Sequence, residues 1–287
     1  MFKSYFQLAK PGIVMGNLIS GLGGFFYASQ GGMYPDIFVG TMVGLILVIA
    51  SACAFNNVYD MDIDKLMSRT QTRPMITGEI SKTNALIFAS IIGLIGFISL
   101  WVLSSKTAFY VGAFAFFIYV IAYTVWSKRQ STWGTFIGSF SGAVPPLLGY
   151  VSITDTIDTA GILIFVLYVI WQMPHSYAIA IFRLDDYKKA KINVLPVAKG
   201  FDRTRSSIML HISAFVAVLA LFGFMGYMHP IGLLFSLAMA VYWLATATFL
   251  YDNMKKEKWA KQIFFQSIFI VIVLNLCLGF NGLLNNL

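Results

Sequence analysis

The sequence predicts an all-α, polytopic membrane protein, with about nine transmembrane helices around a central cavity. Hydrophobic residues make up 58% of the 287 residues and charged residues only 11%, whereas soluble domains average about 25% charged residues. The apolar residues are grouped into segments of about 20, the length that crosses a bilayer as a helix. Basic residues are concentrated in every second connection between these segments. This composition excludes a water-soluble protein.

The nine apolar segments can be marked in order along the chain. Inside a bilayer a helix satisfies all its own backbone hydrogen bonds, so each segment is expected to be helical. No fixed-period repeat or low-complexity stretch divides the chain, and residues 1–287 are therefore predicted to form a single membrane domain. The predicted spans are 14–34, 38–58, 84–104, 107–127, 133–152, 160–181, 208–228, 231–250 and 264–284.

The basic residues predict how these spans are oriented. Lys and Arg cluster before span one and after spans two, four, six and eight, and Lys106 alone falls in a connection of the opposite set. The positive-inside rule then predicts a cytoplasmic N-terminus and an external C-terminus. The net charge of +8 is thus explained by topology first, and by attraction to anionic lipid head groups second. A nucleic-acid partner is not indicated, because the basic residues lie in loops without a recognition motif.

The first apolar segment is long and lacks a convincing cleavage site, so it is expected to be a retained helix rather than a signal peptide. No Arg- and Ser-rich transit peptide precedes it. These features favour a multi-pass protein of a bacterial plasma (inner) membrane. Cys53 and Cys277 fall within predicted spans without metal-ligand spacing, which is typical of small core residues.

An acidic cluster follows span two. Asn56, Asp60 and Asp64 recur every fourth residue, so they share one face if the helix continues, and Asp62 points to the other side. Ionisable groups at a membrane boundary are costly and usually functional. An oxygen-ligated metal ion is the favoured interpretation. The alternative is an acidic helix end paired with nearby basic residues, namely Lys65, Arg69 and Arg73.

A second polar loop follows span six and is predicted to lie on the same membrane side. It contains Arg183, Asp185 and Asp186. Mg²⁺ is commonly shared between one or two carboxylates and substrate phosphates, and Arg binds phosphate through paired hydrogen bonds. The two loops together therefore suit a ligand with several phosphate oxygens. No Walker or Rossmann motif is present, so an ordinary nucleotide site is not indicated. For the second loop alone, topogenic charge with incidental acids is an equally good explanation.

These residues resemble a known family. Asn56, Asp60 and Asp64, followed by Arg69 and Arg73, look like the first aspartate-rich motif of the UbiA-type intramembrane prenyltransferases. The segments 171–177 (WQMPHSY), 182–187 (FRLDDY), 138–146 (GSFSGAVPP) and 194–197 (VLPV) resemble the heme-farnesylating branch of that family. The family's second motif is Asp-x-x-x-Asp, whereas here two adjacent aspartates stand in that region. Asn57 stands where many members have an acid.

The resemblance implies a reaction and a site. A farnesyl group would pass from farnesyl diphosphate to a vinyl group of heme B, with water added, giving heme O and diphosphate for heme-copper oxidase assembly. Mg²⁺ would be held by Asp60, Asp64 and Asn56. Heme B enters as a substrate rather than as a prosthetic group, and heme A synthase or terminal oxidase assembly factors are possible partners. The remaining residues that the resemblance assigns to substrate binding are Arg69, Arg73, Lys128, Arg183, Asp185, Asp186, Tyr187 and Lys188.

His175 lies within predicted span six, where ionisable side chains are unusual. The resemblance favours a role facing the substrate: ligating heme iron, orienting the porphyrin or acting as a base. A hydrogen-bonded packing role is the alternative. His211 and His229 have no such neighbours and are expected to be structural.

Two other functions stay open at this point. The same scaffold could prenylate an aromatic or quinone precursor, although the segment around His175 argues against that acceptor. An ion-coupled transporter would place charges or broken helices near the bilayer midplane, whereas the acids of this chain cluster at one predicted membrane surface.

Overall fold

The computed structural model describes residues 2–251 and 255–285. Within these ranges nine helices are long and apolar enough to cross a membrane, which confirms the predicted fold class. In chain order they are α1 (Pro11–Ser29), α2 (Pro35–Tyr59), α3 (Lys82–Leu103), α4 (Lys106–Gln130), α5 (Gly134–Thr154), α6 (Thr159–Phe182), α7 (Leu195–Phe224), α8 (Pro230–Phe249) and α9 (Lys256–Gly279).

Two helices begin well before the predicted spans. The sequence predicts starts at 208 and 264, but α7 begins at Leu195 and α9 at Lys256. Hydropathy detects only the apolar part of a helix, and both of these helices begin with polar turns. The first turns of α7 are set at an angle to the rest, because Gly200 interrupts the helix with φ 77°. That left-handed conformation is readily accessible only to glycine.

Helix packing encloses a cavity. α1 packs against α5, α9 and α2, while α3 packs on the outer side of α2 and α8 lies against α7 and α9. The very close approach of α1 and α5 depends on glycine. A Cβ atom added at Gly24 would lie 1.9 Å from the backbone oxygen of Pro146, and one added at Gly149 would lie 2.0 Å from that of Gly21. Small residues let membrane helices approach in this way.

α4 is not a regular α-helix throughout. Its second half, Ile118–Ser127, forms a π-helix. π-Helical segments are rare and frequently occur at functional sites. This one carries Tyr119 on the cavity wall and places Thr124 within hydrogen-bonding distance of Asn56, at 3.0 Å.

The two polar loops meet at one end of the bundle. The first contains the short helices Met61–Asp64, Ser68–Thr70 (3₁₀) and Pro74–Thr77, and the second contains the helix Leu184–Lys189. Asp186 Oδ1 accepts hydrogen bonds from the Ser68 backbone N–H at 3.0 Å and from its hydroxyl at 2.8 Å. Both loops therefore lie on the same side, as predicted. We call this end the polar end; its identity as the cytoplasmic side stays a prediction.

Candidate active site

Two buried carboxylates, those of Asp60 and Asp64, lie directly after the end of α2, at the polar end of the bundle. α2 ends at Tyr59, and the chain keeps a helical turn through the Asp64 N–H to Asp60 oxygen hydrogen bond of 2.8 Å. Asp60 is 1% exposed and Asp64 3% exposed. Asp60 accepts a hydrogen bond from Asn56 Nδ2 at 2.8 Å and pairs with Lys128. Asp64 pairs with Arg73 at 2.5 Å.

Asp62 lies on the other side of this turn. Its side chain is 64% exposed and forms two hydrogen bonds with Arg129, of 2.6 and 2.7 Å. These hydrogen bonds lower the pKa of the Asp62 carboxyl. The Asp62 carboxylate is therefore exposed, whereas those of Asp60 and Asp64 are buried. Arg129 also lies 3.7 Å from Asp60 Oδ1.

Lys10 is also part of this cluster, a contact that the sequence did not predict. Its backbone is left-handed, with φ 53°, just before α1. Its Nζ donates a hydrogen bond to Asn56 Oδ1 at 2.5 Å, and burial lowers the pKa of its amine to about 8. The only signal in the sequence was its position directly before Pro11, because a fold-back contact across the site has no local pattern. The neighbouring Asn57 instead anchors a short helix before α1, Phe2–Leu8, by donating a hydrogen bond to the Leu8 carbonyl at 2.8 Å.

The donor set fits a shared divalent cation rather than a closed metal site. In the described ranges, no three His, Cys, Asp or Glu side chains converge as a metal-binding group. However, Asp60 Oδ1 is buried and accepts no hydrogen bond from any described residue. Mg²⁺ usually binds one or two carboxylates and completes its octahedron with water and substrate phosphates. Asp60 and Asp64 suit that arrangement, with Asn56 beside them.

In the part of the chain that the structure describes, the second polar loop contacts the first loop rather than the carboxylates of Asp60 and Asp64. Burial opposes ionisation of Asp186, but the hydrogen bonds from Ser68 hold its pKa below the usual value. Asp186 thus ties the two loops together. Tyr187 follows it and is half-buried, and burial raises its pKa. Arg69 influences the charges of both residues through space.

The other predicted residues of the second loop are exposed. Arg183 and Asp185 line a separate groove beside Lys189. Lys188 is exposed on the same short helix. The structure does not bring these three predicted residues, Arg183, Asp185 and Lys188, into contact with Asp60 or Asp64 within the described part of the chain.

An apolar cavity of about 620 Å³ lies beneath the carboxylates, lined by α1, α2, α4, α5, α6 and α9. Along α2 it extends from Cys53 to Leu45, a depth of about 12 Å at 1.5 Å per residue. Cys53 is about two helical turns from Asp60, so this end of the cavity lies close to the charged cluster. Such a cavity can hold a long apolar chain whose charged end lies near Asp60.

His175 lies on the cavity wall. Its ring stacks on Trp171, with ring centroids 4.9 Å apart, and contacts Phe264 at the same distance. His175 Nδ1 is 2.7 Å from Ser267 Oγ, and that hydroxyl donates its proton to the Phe264 carbonyl at 2.5 Å. In the neutral ring Nδ1 must therefore carry the hydrogen, because Ser267 can only accept from it. Nε2 is left as an acceptor and bonds to no described residue.

Comparison with known proteins identifies the family. The model of the UbiA prenyltransferase family matches residues 17–269. The chain belongs to this family. It is therefore a membrane prenyltransferase, a transferase. Protoheme IX farnesyltransferase of Enterobacter sp. (strain 638) is 43% identical over 282 residues, covering 97% of this chain and 95% of the relative. Protoheme IX farnesyltransferase of Salmonella arizonae is 42% identical over 289 residues, covering 100% and 97%.

Solved structures show the same fold at low sequence identity. A structure from work on digeranylgeranylglyceryl phosphate synthase has a TM-score of 0.78 and 16% identity, covering 98% of each chain. A UbiA homologue from Archaeoglobus fulgidus bound to GPP and Mg²⁺ has a TM-score of 0.70 and 16% identity, covering 96% of this chain and 99% of that one. In that homologue a prenyl diphosphate and Mg²⁺ are bound together.

Proposed function

We propose that this enzyme transfers a farnesyl group from farnesyl diphosphate to a vinyl group of heme B, with addition of water, producing heme O and diphosphate. The observation that carries the proposal is one cavity with two chemically different features. Buried carboxylates and cations lie near its Cys53 end, which we call the charged mouth, and an imidazole acceptor lies on its wall. The full-length similarity to protoheme IX farnesyltransferases supports the choice of acceptor.

The charged mouth would bind the diphosphate. Mg²⁺, when bound by Asp60 and Asp64, supplies charge that stabilises the leaving diphosphate. Arg73 and Lys128 already lie on these carboxylates, and Lys10 lies on Asn56. These cations would turn to the phosphate oxygens when the substrate arrives. Positive groups placed where negative charge develops often make the largest contribution to catalysis.

The cavity would hold the farnesyl chain and protect the allylic cation from bulk water. Tyr119 and Phe116 of α4 line it, together with Trp171 and Phe264 near His175. Aromatic faces attract cations electrostatically. His175 would face the heme substrate through Nε2. Its ring is held by two aromatic contacts and by Ser267, so its direction is fixed before substrate binds.

The proposed activity also implies a membrane, an orientation and a recipient for the product. The protein would act as one membrane domain over residues 1–287 in a bacterial inner membrane, with the polar end facing the cytoplasm. Heme O would pass to heme A synthase or to terminal oxidase assembly. An ion-coupled transporter is disfavoured, because the buried acids Asp60 and Asp64 lie at the polar end and the cavity beneath is mainly apolar.

The test is an assay of purified protein with farnesyl diphosphate, Mg²⁺ and either heme B or an aromatic acid. We expect a farnesylated heme, detected by mass, and no prenylated aromatic acid. His175→Ala should reduce heme consumption more than diphosphate release. The matched control is His211→Ala, since His211 Nδ1 bonds to its own helix at Ser207 O, 2.7 Å away. Prenylation of the aromatic acid but not of heme would overturn the proposal.

A further inference from the structure

One face of α6 brings three polar side chains into the cavity. Gln172, His175, Ser176 and Ile179 all line it, and their spacing places them side by side on the helix. Neither amide atom of Gln172 nor the hydroxyl of Ser176 forms a hydrogen bond with a described residue. The rest of the wall is mainly apolar, so this polar face has no packing explanation.

Gly142 of α5 makes room for the Gln172 amide. A Cβ atom added at Gly142 would lie 2.9 Å from Gln172 Oε1 and 3.2 Å from its Nε2. Real Cβ atoms essentially never approach closer than 3.0 Å, so any larger residue at this position would displace the amide. The amide is thus positioned by α5 as well as by its own helix.

The Gln172 amide is half-buried and bonds to no described residue, so it is free to bond to a molecule inside the cavity. A buried water molecule typically needs about three hydrogen bonds to protein atoms. Gln172, Ser176 and His175 Nε2 together provide donors and acceptors of that number on one helix face. The face therefore suits a single water molecule held inside a mainly apolar cavity.

The proposed reaction requires one water molecule at a defined stage. A bond forms between farnesyl C1 and the terminal vinyl carbon while the C–O bond to diphosphate breaks. Positive charge then appears on the inner vinyl carbon. Water attacks that carbon through its oxygen and loses one proton, which leaves a hydroxyl group. If no water is in place, loss of a proton from the neighbouring carbon gives an alkene without the hydroxyl group.

We propose that Gln172 and Ser176 hold the water molecule that captures this second carbocation, and that His175 Nε2 accepts the proton it releases. The inference rests on the proposed function and adds a specific task to it. Gln172 controls which product forms, hydroxylated or alkene, rather than whether farnesyl transfer begins.

The test compares products by mass in water labelled with heavy oxygen. Wild-type protein should incorporate one labelled oxygen into the farnesylated heme. Gln172→Leu should keep diphosphate release but lower the ratio of hydroxylated product to alkene by about tenfold, the effect of losing one to two hydrogen bonds. Gly142→Ala, which displaces the amide without removing it, should shift the ratio in the same direction. Ile179→Val, on the same helix face, is the control for a change in cavity volume alone.

The outcomes separate the two ideas. A wild-type protein that makes no farnesylated heme would refute the proposed function itself. If wild-type protein makes labelled hydroxylated product, and Gln172→Leu makes it in the same proportion, the water-binding role is wrong. Should Gln172→Leu fail to fold, Gly142→Ala decides by the same ratio. If Gly142→Ala gives the same alkene fraction as the control Ile179→Val, that result would also contradict the proposal.

Discussion

Replacing Asp60 by Asn tests the charged mouth most directly, because Asn keeps the shape of the side chain and removes only its charge. Asp60 is 1% exposed and bonds to Asn56 and Lys128. Loss of one group that stabilises developing charge typically lowers the catalytic rate by about 10²–10³-fold. We expect Asp60→Asn to lower prenyl transfer by that order, and Asp64→Asn to have a comparable effect.

Asp62→Asn is the matched control, two residues away. Its carboxylate is 64% exposed and pairs with Arg129. Exposed ion pairs contribute about 0.2–1 kcal/mol, and 1.36 kcal/mol corresponds to a tenfold change in rate. Even if the entire free energy of the Asp62–Arg129 ion pair stabilised the transition state, the rate of Asp62→Asn should fall by less than about tenfold.

The assay measures diphosphate release and farnesylated product against Mg²⁺ concentration, with thermal stability in detergent recorded for each variant. Asp60→Asn and Asp64→Asn should require more Mg²⁺ for half-maximal rate, and excess Mg²⁺ should partly restore the weaker variant. Near wild-type rates for both would refute the assignment of the metal-diphosphate site. Asp62→Asn being the slowest of the three would show that the argument from the helical face is wrong.

Three further predictions concern the fold. Gly24→Ala should destabilise the protein by about 1–3 kcal/mol or more through overpacking against Pro146, whereas Gly16→Ala, with nothing within 4 Å of the added Cβ, should not; thermal unfolding in detergent measures both. Asp186→Ala should loosen the tie to the first loop and speed proteolysis there, while Asp185→Ala, at the exposed neighbouring position, should leave proteolysis unchanged. Reporter fusions should place the N-terminus in the cytoplasm and the C-terminus outside, and the reverse result would contradict the charge argument.

The sequence predicts the nine helices well because a bilayer leaves few alternatives. Each span must be long, apolar and internally hydrogen-bonded. The polar beginning of α7 at Leu195 escaped prediction, since hydropathy carries no information about helix outside the apolar part. The π-helical half of α4 also has no sequence pattern that we can identify.

The sequence predicted the arrangement of site residues that are close together along the chain. It did not predict contacts between segments that are far apart in the sequence. Periodicity placed Asp60 and Asp64 apart from Asp62, because all three lie within one short stretch. It could not show that Lys10 folds onto Asn56, or that Asp186 bonds to the first loop. The polar face at Gln172 required knowledge of the cavity, since the same residues would be ordinary on a helix facing another protein surface.

The ion pairs at the mouth connect the stability of the protein with its proposed chemistry. A buried carboxylate without a partner is strongly destabilising, so Asp60 and Asp64 need cations while no substrate is bound. Lys128 and Arg73 provide them. If Asp60 and Asp64 hold Mg²⁺ as we propose, the same Lys and Arg side chains would become available to the phosphates. Charge would then be balanced both before and after binding, and a cluster of acids could remain at the edge of an apolar cavity. Loss of either cation should therefore cost both stability and diphosphate affinity, whereas loss of a carboxylate should cost mainly activity.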